Sequence, residues 1–171
     1  GGTIRTTLDS SVQALLERTL ASSLSSMPTG VTAAGIVLDN DTADILAYSG
    51  NGRLGSGLPG SWVDCARSPR SPGSALKPFA YLAAFDRGIL TPSSLLADTP
   101  LAFSGQAPRN FDLTYRGPVT ARTALADSLN VPAVRVFRAA GPELVLDLLR
   151  NAGFRSLDRP TGHYGDSLIL G

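Results

Sequence analysis

Lys77 is the one lysine among the 15 lysine and arginine residues of this chain, in the stretch Arg70-Ser71-Pro72-Gly73-Ser74-Ala75-Leu76-Lys77-Pro78. An arginine keeps its proton in a protein, whereas a desolvated lysine can give it up. Ser74 stands three residues before that amine, after a Pro-Gly break. Residues three apart on a helix share a face, so the hydroxyl and the amine would be neighbours. Such a pair can act as a serine nucleophile with an amine base. Pro78 belongs in or near a first helical turn, because proline lacks an N–H and clashes with the preceding turn. A helix is therefore expected to start at about Ser74, where unpaired N–H groups favour developing negative charge. Making Lys77 neutral near pH 7 would cost about 4 kcal/mol, which burial and nearby cations would have to supply; Arg67 and Arg70 could be such cations or simply solvated charges. The same four-residue pattern also arises by chance on a solvated helix, so it needs a companion.

Ser128-Leu129-Asn130 is the companion, at the junction expected between two helices. A serine there can relay a proton, and an asparagine can bind both an amine and a substrate amide. Locally, the pair also reads as a helix-terminal serine followed by an asparagine stop. Other chemistry is narrowed by composition. The single Cys65 excludes an internal disulfide and a cysteine zinc site, and the single His163 excludes histidine metal clusters. Gly50, Gly52 and Gly55 match G-x-G-x-x-G, but Ser56-Gly57-Leu58-Pro59-Gly60 follows and cannot open the helix that a dinucleotide site requires. That segment is expected to be a flexible loop. Gly165-Asp166-Ser167-Leu168 spells an esterase motif, yet His163 precedes it instead of following far downstream. No cofactor or metal is expected.

The 171 residues suffice for one core. A net charge of +1 gives no ground for a nucleic-acid partner or a polybasic membrane patch. No apolar run approaches the roughly 18 residues of a membrane span. A single partial domain is expected over 1–171. Residues 1–30 form an extended lead-in and a helix capped by Asp9 or Ser10, with Val12, Leu15, Leu16, Leu20 and Leu24 as its apolar stripe. Residues 31–49 form a hairpin of a buried strand, Val31 to Leu38, and a return strand, Ile45 to Ser49. Residues 50–73 are loop. Residues 74–171 are mainly helical and hold both motifs. The central helix runs from Ser74 to Arg87, packs through Phe79, Leu82, Ala83 and Phe85, and stops at Gly88. Thr91 to Tyr115 reads as irregular. A helix from Thr120 to Leu129 ends at Asn130, another starts at Pro132 and runs to Gly141, and a third opens at Pro142, carries Leu144, Leu148 and Leu149, and closes at Gly153.

Taken together, S-x-x-K at a helix start and S-x-N about 50 residues later resemble the penicillin-binding protein and serine β-lactamase superfamily. The stretch from Ala66 to Tyr81 is similar to the nucleophile region of the bifunctional, class A penicillin-binding proteins, above all the 1C type. Asn110-Phe111-Asp112, Gly117-Pro118-Val119, Ala124-Leu125, Ser128 to Val134 and Ser167 to Gly171 fit the same pattern in order, and Ile4 to Asp9 resembles the join into the transpeptidase domain. The resemblance implies an α/β (α+β) transpeptidase fold, helices packed on an antiparallel sheet, here ending before the C-terminal strands and their K-T-G motif. It implies a peptidoglycan D,D-transpeptidase in which Ser74 is acylated by a D-Ala-D-Ala stem peptide, Lys77 takes its proton, Ser128 relays a proton, and Asn130 holds Lys77 and the substrate. β-Lactams would acylate the same serine. An upstream glycosyltransferase domain, an N-terminal membrane anchor and a periplasmic location are likewise implied. Without the third motif, this stretch alone is expected to turn over nothing. A D,D-carboxypeptidase differs only in the acceptor. A β-lactamase would need a deacylating glutamate, and the one Glu after Asn130 is Glu143, with Tyr164 where that glutamate is expected. A non-catalytic β-lactam sensor or scaffold would also keep Ser74 and Lys77.

Overall fold

A computed structural model describes residues 2–101 and 108–170. The chain forms two compact units, 1–70 and 71–171. In the first, α1 spans Ser10–Ser25 and is capped by Asp9, whose carboxylate accepts the Ser11 and Val12 N–H groups. Leu20 and Leu24 are the buried positions of its stripe, while Leu15 is more than half exposed. Strands β1 (Gly35–Leu38) and β2 (Ile45–Ser49) pair antiparallel, Gly35 opposite Ser49, with a register shift after Val37. The expected buried strand is shorter than Val31 to Leu38, and Ile36 and Leu38 are about half exposed. Only Ala47 of β2 is fully buried, because α1 packs on one face of this two-stranded ribbon.

The glycine-rich segment after β2 opens no helix, and it is organised around a buried side chain. Asn51 donates to the carbonyls of Gly60 and Val63, and its Oδ1 accepts the Thr32 hydroxyl and the Arg53 N–H. Tyr48 donates to both oxygens of Asp64, whose Oδ1 also accepts the Ala66 and Arg67 N–H groups and holds the next turn.

The second unit is a helical cluster with a short hairpin. A 3-10 turn, Gly73–Leu76, leads into α2, Lys77–Asp86, so the regular helix begins one turn later than the sequence suggests. Pro78 occupies the first turn of α2, where its missing N–H costs nothing. Ala80, Tyr81, Ala83 and Ala84 are the buried face, and Leu82, expected inside, is half exposed. Strands β3 (Leu95–Asp98) and β4 (Gly117–Thr120) pair antiparallel, Asp98 opposite Gly117, so the 91–115 stretch is not wholly irregular. Helices α3 (Ala121–Ala126), α4 (Asn130–Ala140), α5 (Pro142–Asn151) and α6 (Thr161–Tyr164) follow, then a 3-10 turn, Gly165–Ile169. Tyr81, Val134, Phe137, Val145, Leu146, Leu149 and Ile169 form the centre of the core. Gly171, the end of the last stretch read in the sequence, lies outside the described residues.

Three helix ends share one hydrogen-bond pattern, which sets up the site. After α2, the Ile89 N–H donates to Ala84 and the Gly88 N–H to Phe85, with Gly88 at φ +64°. After α5, Phe154 and Gly153 repeat it onto Leu149 and Arg150, with Gly153 at φ +98°. After α3, Leu129 donates to Ala124 and Ser128 to Leu125, but the left-handed residue is Ser128, at φ +53°. This is the Schellman ending, in which glycine is favoured because it has no Cβ. A serine there carries roughly 1–2 kcal/mol of backbone strain.

Candidate active site

Ser74 lies in the 3-10 turn and is exposed, while Lys77, three residues on, is 1% exposed. The turn carries Ser74 to the surface and turns Lys77 inward. The Lys77 backbone N–H donates to the Ser74 carbonyl. Among the described residues, the Ser74 hydroxyl has no hydrogen-bond partner, so the side-chain pairing expected from the spacing is not made here.

The Lys77 amine instead reaches the α3–α4 junction. Nζ donates to the Ser128 carbonyl at 2.5 Å, to Ser128 Oγ at 3.0 Å and to Asn130 Oδ1 at 2.6 Å. An ammonium has three donors, and all three are used. The left-handed turn at Ser128 brings that residue's carbonyl and hydroxyl to the same nitrogen. Burial pulls the Lys77 pKa down to about 8. The three acceptors favour the charged form, and desolvation still prevails. At pH 7 about one molecule in ten then carries the neutral amine, against one in a few thousand for an ordinary lysine. Burial is the cause of this shift.

Asn130 does not end the preceding helix; it is the first residue of α4. Its side chain bridges two partners, with Oδ1 on Lys77 and Nδ2 donating to the Arg109 carbonyl at 2.7 Å. The structure thus brings Lys77, Ser128 and Asn130 into direct contact, with Ser74 on the preceding turn. Glu143 sits in the first turn of α5, and the Tyr164 hydroxyl accepts the Arg159 N–H. The larger groove of the first unit, bordered by Gly30, Ile36, Arg53 and Pro59, contains none of these residues.

Two polar residues were not singled out as site residues in the sequence. Asp98 at the end of β3 is fully buried, and Asn110 is 3% exposed. Asn110 joins Asp98 to the backbone of Asn130. Their signal was faint, since Asn110 occurs only within a short matching motif and Asp98 stands in a stretch without clear periodicity.

Residues 33–165 match the penicillin binding protein transpeptidase domain. Penicillin-binding protein 1C of Escherichia coli (strain K12) is 40% identical over 169 residues, which are 98% of this chain and 22% of that protein. The chain belongs to the transpeptidase domain of the class A penicillin-binding proteins. Solved structures agree with the fold assignment. A crystal structure of penicillin-binding protein 1A from Haemophilus influenzae is 31% identical, with a TM-score of 0.70, over 83% of this chain and 21% of that one. The PonA1 protein from Mycobacterium tuberculosis, in complex with penicillin V, is 25% identical, with a TM-score of 0.79, over 99% of this chain and 46% of that one. This transpeptidase domain therefore combines helices with small antiparallel sheets, and the chain spans about a fifth of the length of its 1C relative.

Proposed function

We propose that the chain supplies the acylation half of a serine D,D-transpeptidase of peptidoglycan synthesis. The observation that carries this reading is the buried Lys77 amine, held by Ser128 and Asn130 and standing one turn from an exposed Ser74. In the neutral form, Lys77 takes the Ser74 hydroxyl proton as Oγ bonds to the carbonyl carbon of the penultimate D-alanine. The Ser74 backbone N–H faces the developing oxyanion. The C–N bond to the last D-alanine breaks, and the proton passes from Lys77 through the Ser128 hydroxyl to the departing amine. Asn130 keeps the lysine in place and offers its amide to the substrate. An amine of a second stem peptide then attacks the ester, forms the cross-link and returns Ser74. A penicillin would acylate the same oxygen and remain attached, because its leaving group stays tethered. The active domain works on the periplasmic face of the inner membrane, in a longer protein with an upstream glycosyltransferase domain and membrane anchor.

The test is product analysis with the full-length protein and glycan strands bearing D-Ala-D-Ala stems. Cross-linked dimers that vanish in Ser74→Ala are expected. Release of D-alanine without dimers would overturn the transpeptidase reading in favour of a carboxypeptidase. Acylation by penicillin with neither product would favour a sensor.

A further inference from the structure

Lys77 can be poised only if the α3–α4 junction is held still, and that junction cannot hold itself. Helix α4 begins after Leu129, a residue with no side-chain cap. Its first N–H groups would be unpaired in a partly buried place. Pro132 has no N–H, so the donors in need are those of Asn130 and Val131. Both are met from outside the helix. Asn110 Oδ1 accepts the Asn130 N–H at 2.9 Å and the Val131 N–H at 3.4 Å.

Asn110 is itself fixed from behind. Its Nδ2 donates to both oxygens of Asp98 at 2.9 Å and to the Thr114 carbonyl at 2.9 Å. The amide has one orientation that satisfies these partners, because a flip would set its oxygen against three acceptors and its NH2 against two donors. Asp98 also accepts the Arg116 N–H at 2.9 Å, and the Arg116 guanidinium pairs with Asp127, the residue before Ser128. The neighbouring Arg109 carbonyl takes the Asn130 side-chain amide. One buried carboxylate thus sets the β3–β4 hairpin, the α4 start and, through Asn130, one of the three hydrogen-bond acceptors of the Lys77 amine.

We propose that Asp98 and Asn110 are positioning residues for the acylation step, holding Asn130 and the Ser128 turn on Lys77. The proposal rests on Ser74 being the acylated residue. Neither residue touches Lys77, so each acts through Asn130. In Asn110→Asp, one oxygen still faces the Asn130 and Val131 N–H groups, but the other is set against the Asp98 carboxylate. The double variant Asp98→Asn/Asn110→Asp exchanges donor and acceptor and restores that contact, while the Thr114 carbonyl loses its donor.

The experiment is stopped-flow acylation of the full-length protein with a fluorescent penicillin, reading final stoichiometry, maximal acylation rate and apparent Kd separately. The wild type, acylated once at Ser74, validates the assay; no label there would sink the functional reading and the positioning claim with it, whereas the variants test the positioning claim alone. Asn110→Asp is expected to reach full stoichiometry with a maximal rate lowered roughly tenfold to a hundredfold, the scale of a small misplacement of catalytic groups, and with Kd changed much less. The double variant is expected to recover part of that rate. A merely structural pair would lower the labelled fraction and leave the rate of the labelled molecules unchanged, which would overturn the proposal. So would an unchanged rate at full stoichiometry, or a double variant slower than the product of the single effects. Should Asn110→Asp fail to fold, Asp98→Asn, which can keep the Arg116 bond, is judged by the same two readouts.

Discussion

Replacing Lys77 by methionine and comparing the two proteins across alkaline pH reads the buried amine without any substrate. An ordinary lysine titrates at 10.5, and burial brings Lys77 down to about 8. Between these values the unfolded chain still holds a proton that the folded chain has released. Stability therefore rises with pH across that window. The charged amine is a penalty that is fully present below pH 8 and relieved as pH climbs to 10.5. The gap corresponds to about 3 kcal/mol. Because the side chain is 1% exposed, solvent screening removes little of it. Urea unfolding of the wild type and of Lys77→Met at pH 7, 8, 9 and 10.5 measures the difference directly. All other groups are common to both proteins and cancel. The wild type is expected to gain about 3 kcal/mol on the variant from pH 7 to 10.5, most of it above pH 8. A difference that stays flat within a few tenths of a kcal/mol would refute the claim that the folded protein desolvates this amine.

Other consequences follow from the same geometry. Ser128→Gly and Ser128→Ala both remove the hydroxyl, but only glycine relieves the positive φ, so Ser128→Gly should be the more stable by about 1 kcal/mol in urea unfolding while both acylate slowly. Equal stabilities would remove the strain from the account. Among the described residues the buried Tyr81 hydroxyl has no partner, so Tyr81→Phe is expected to raise the unfolding free energy by about 1 kcal/mol, and a loss of that size would point to a hidden partner. The rate of penicillin acylation should climb roughly tenfold per pH unit below the Lys77 value and level off above about 8, since the neutral amine is the base. A profile flat from pH 6 to 9 would exclude Lys77 from that role.

The parts of the fold that the sequence exposed are those written in local chemistry. Asp9 caps α1 through contacts two and three residues away, and Gly88, Gly141, Gly153 and Pro142 mark helix boundaries by backbone geometry that only they suit. The β3–β4 hairpin was missed because its strands have four residues each, join across about twenty positions and include Pro118. Asn130 was misread for an instructive reason. Asparagine is a common left-handed stop, but here Ser128 takes that conformation, two residues early, and frees Asn130 to start the next helix. The junction that meets the lysine was legible, whereas the Ser74–Lys77 side-chain pairing read from their spacing is not made. The buried Asp98 and Asn110 were not legible, because no periodicity or chemistry-bearing spacing marks the contacts they make.

The central claim is that Ser74 is the nucleophile served by this lysine. Intact-mass analysis after incubation with benzylpenicillin, on the full-length protein and its Ser74→Ala variant, tests it most directly. The account predicts one drug mass added to the parent, localised by peptide mapping to Ser74, and none to the variant. An adduct of equal yield on Ser74→Ala, or none on a folded parent, would contradict it.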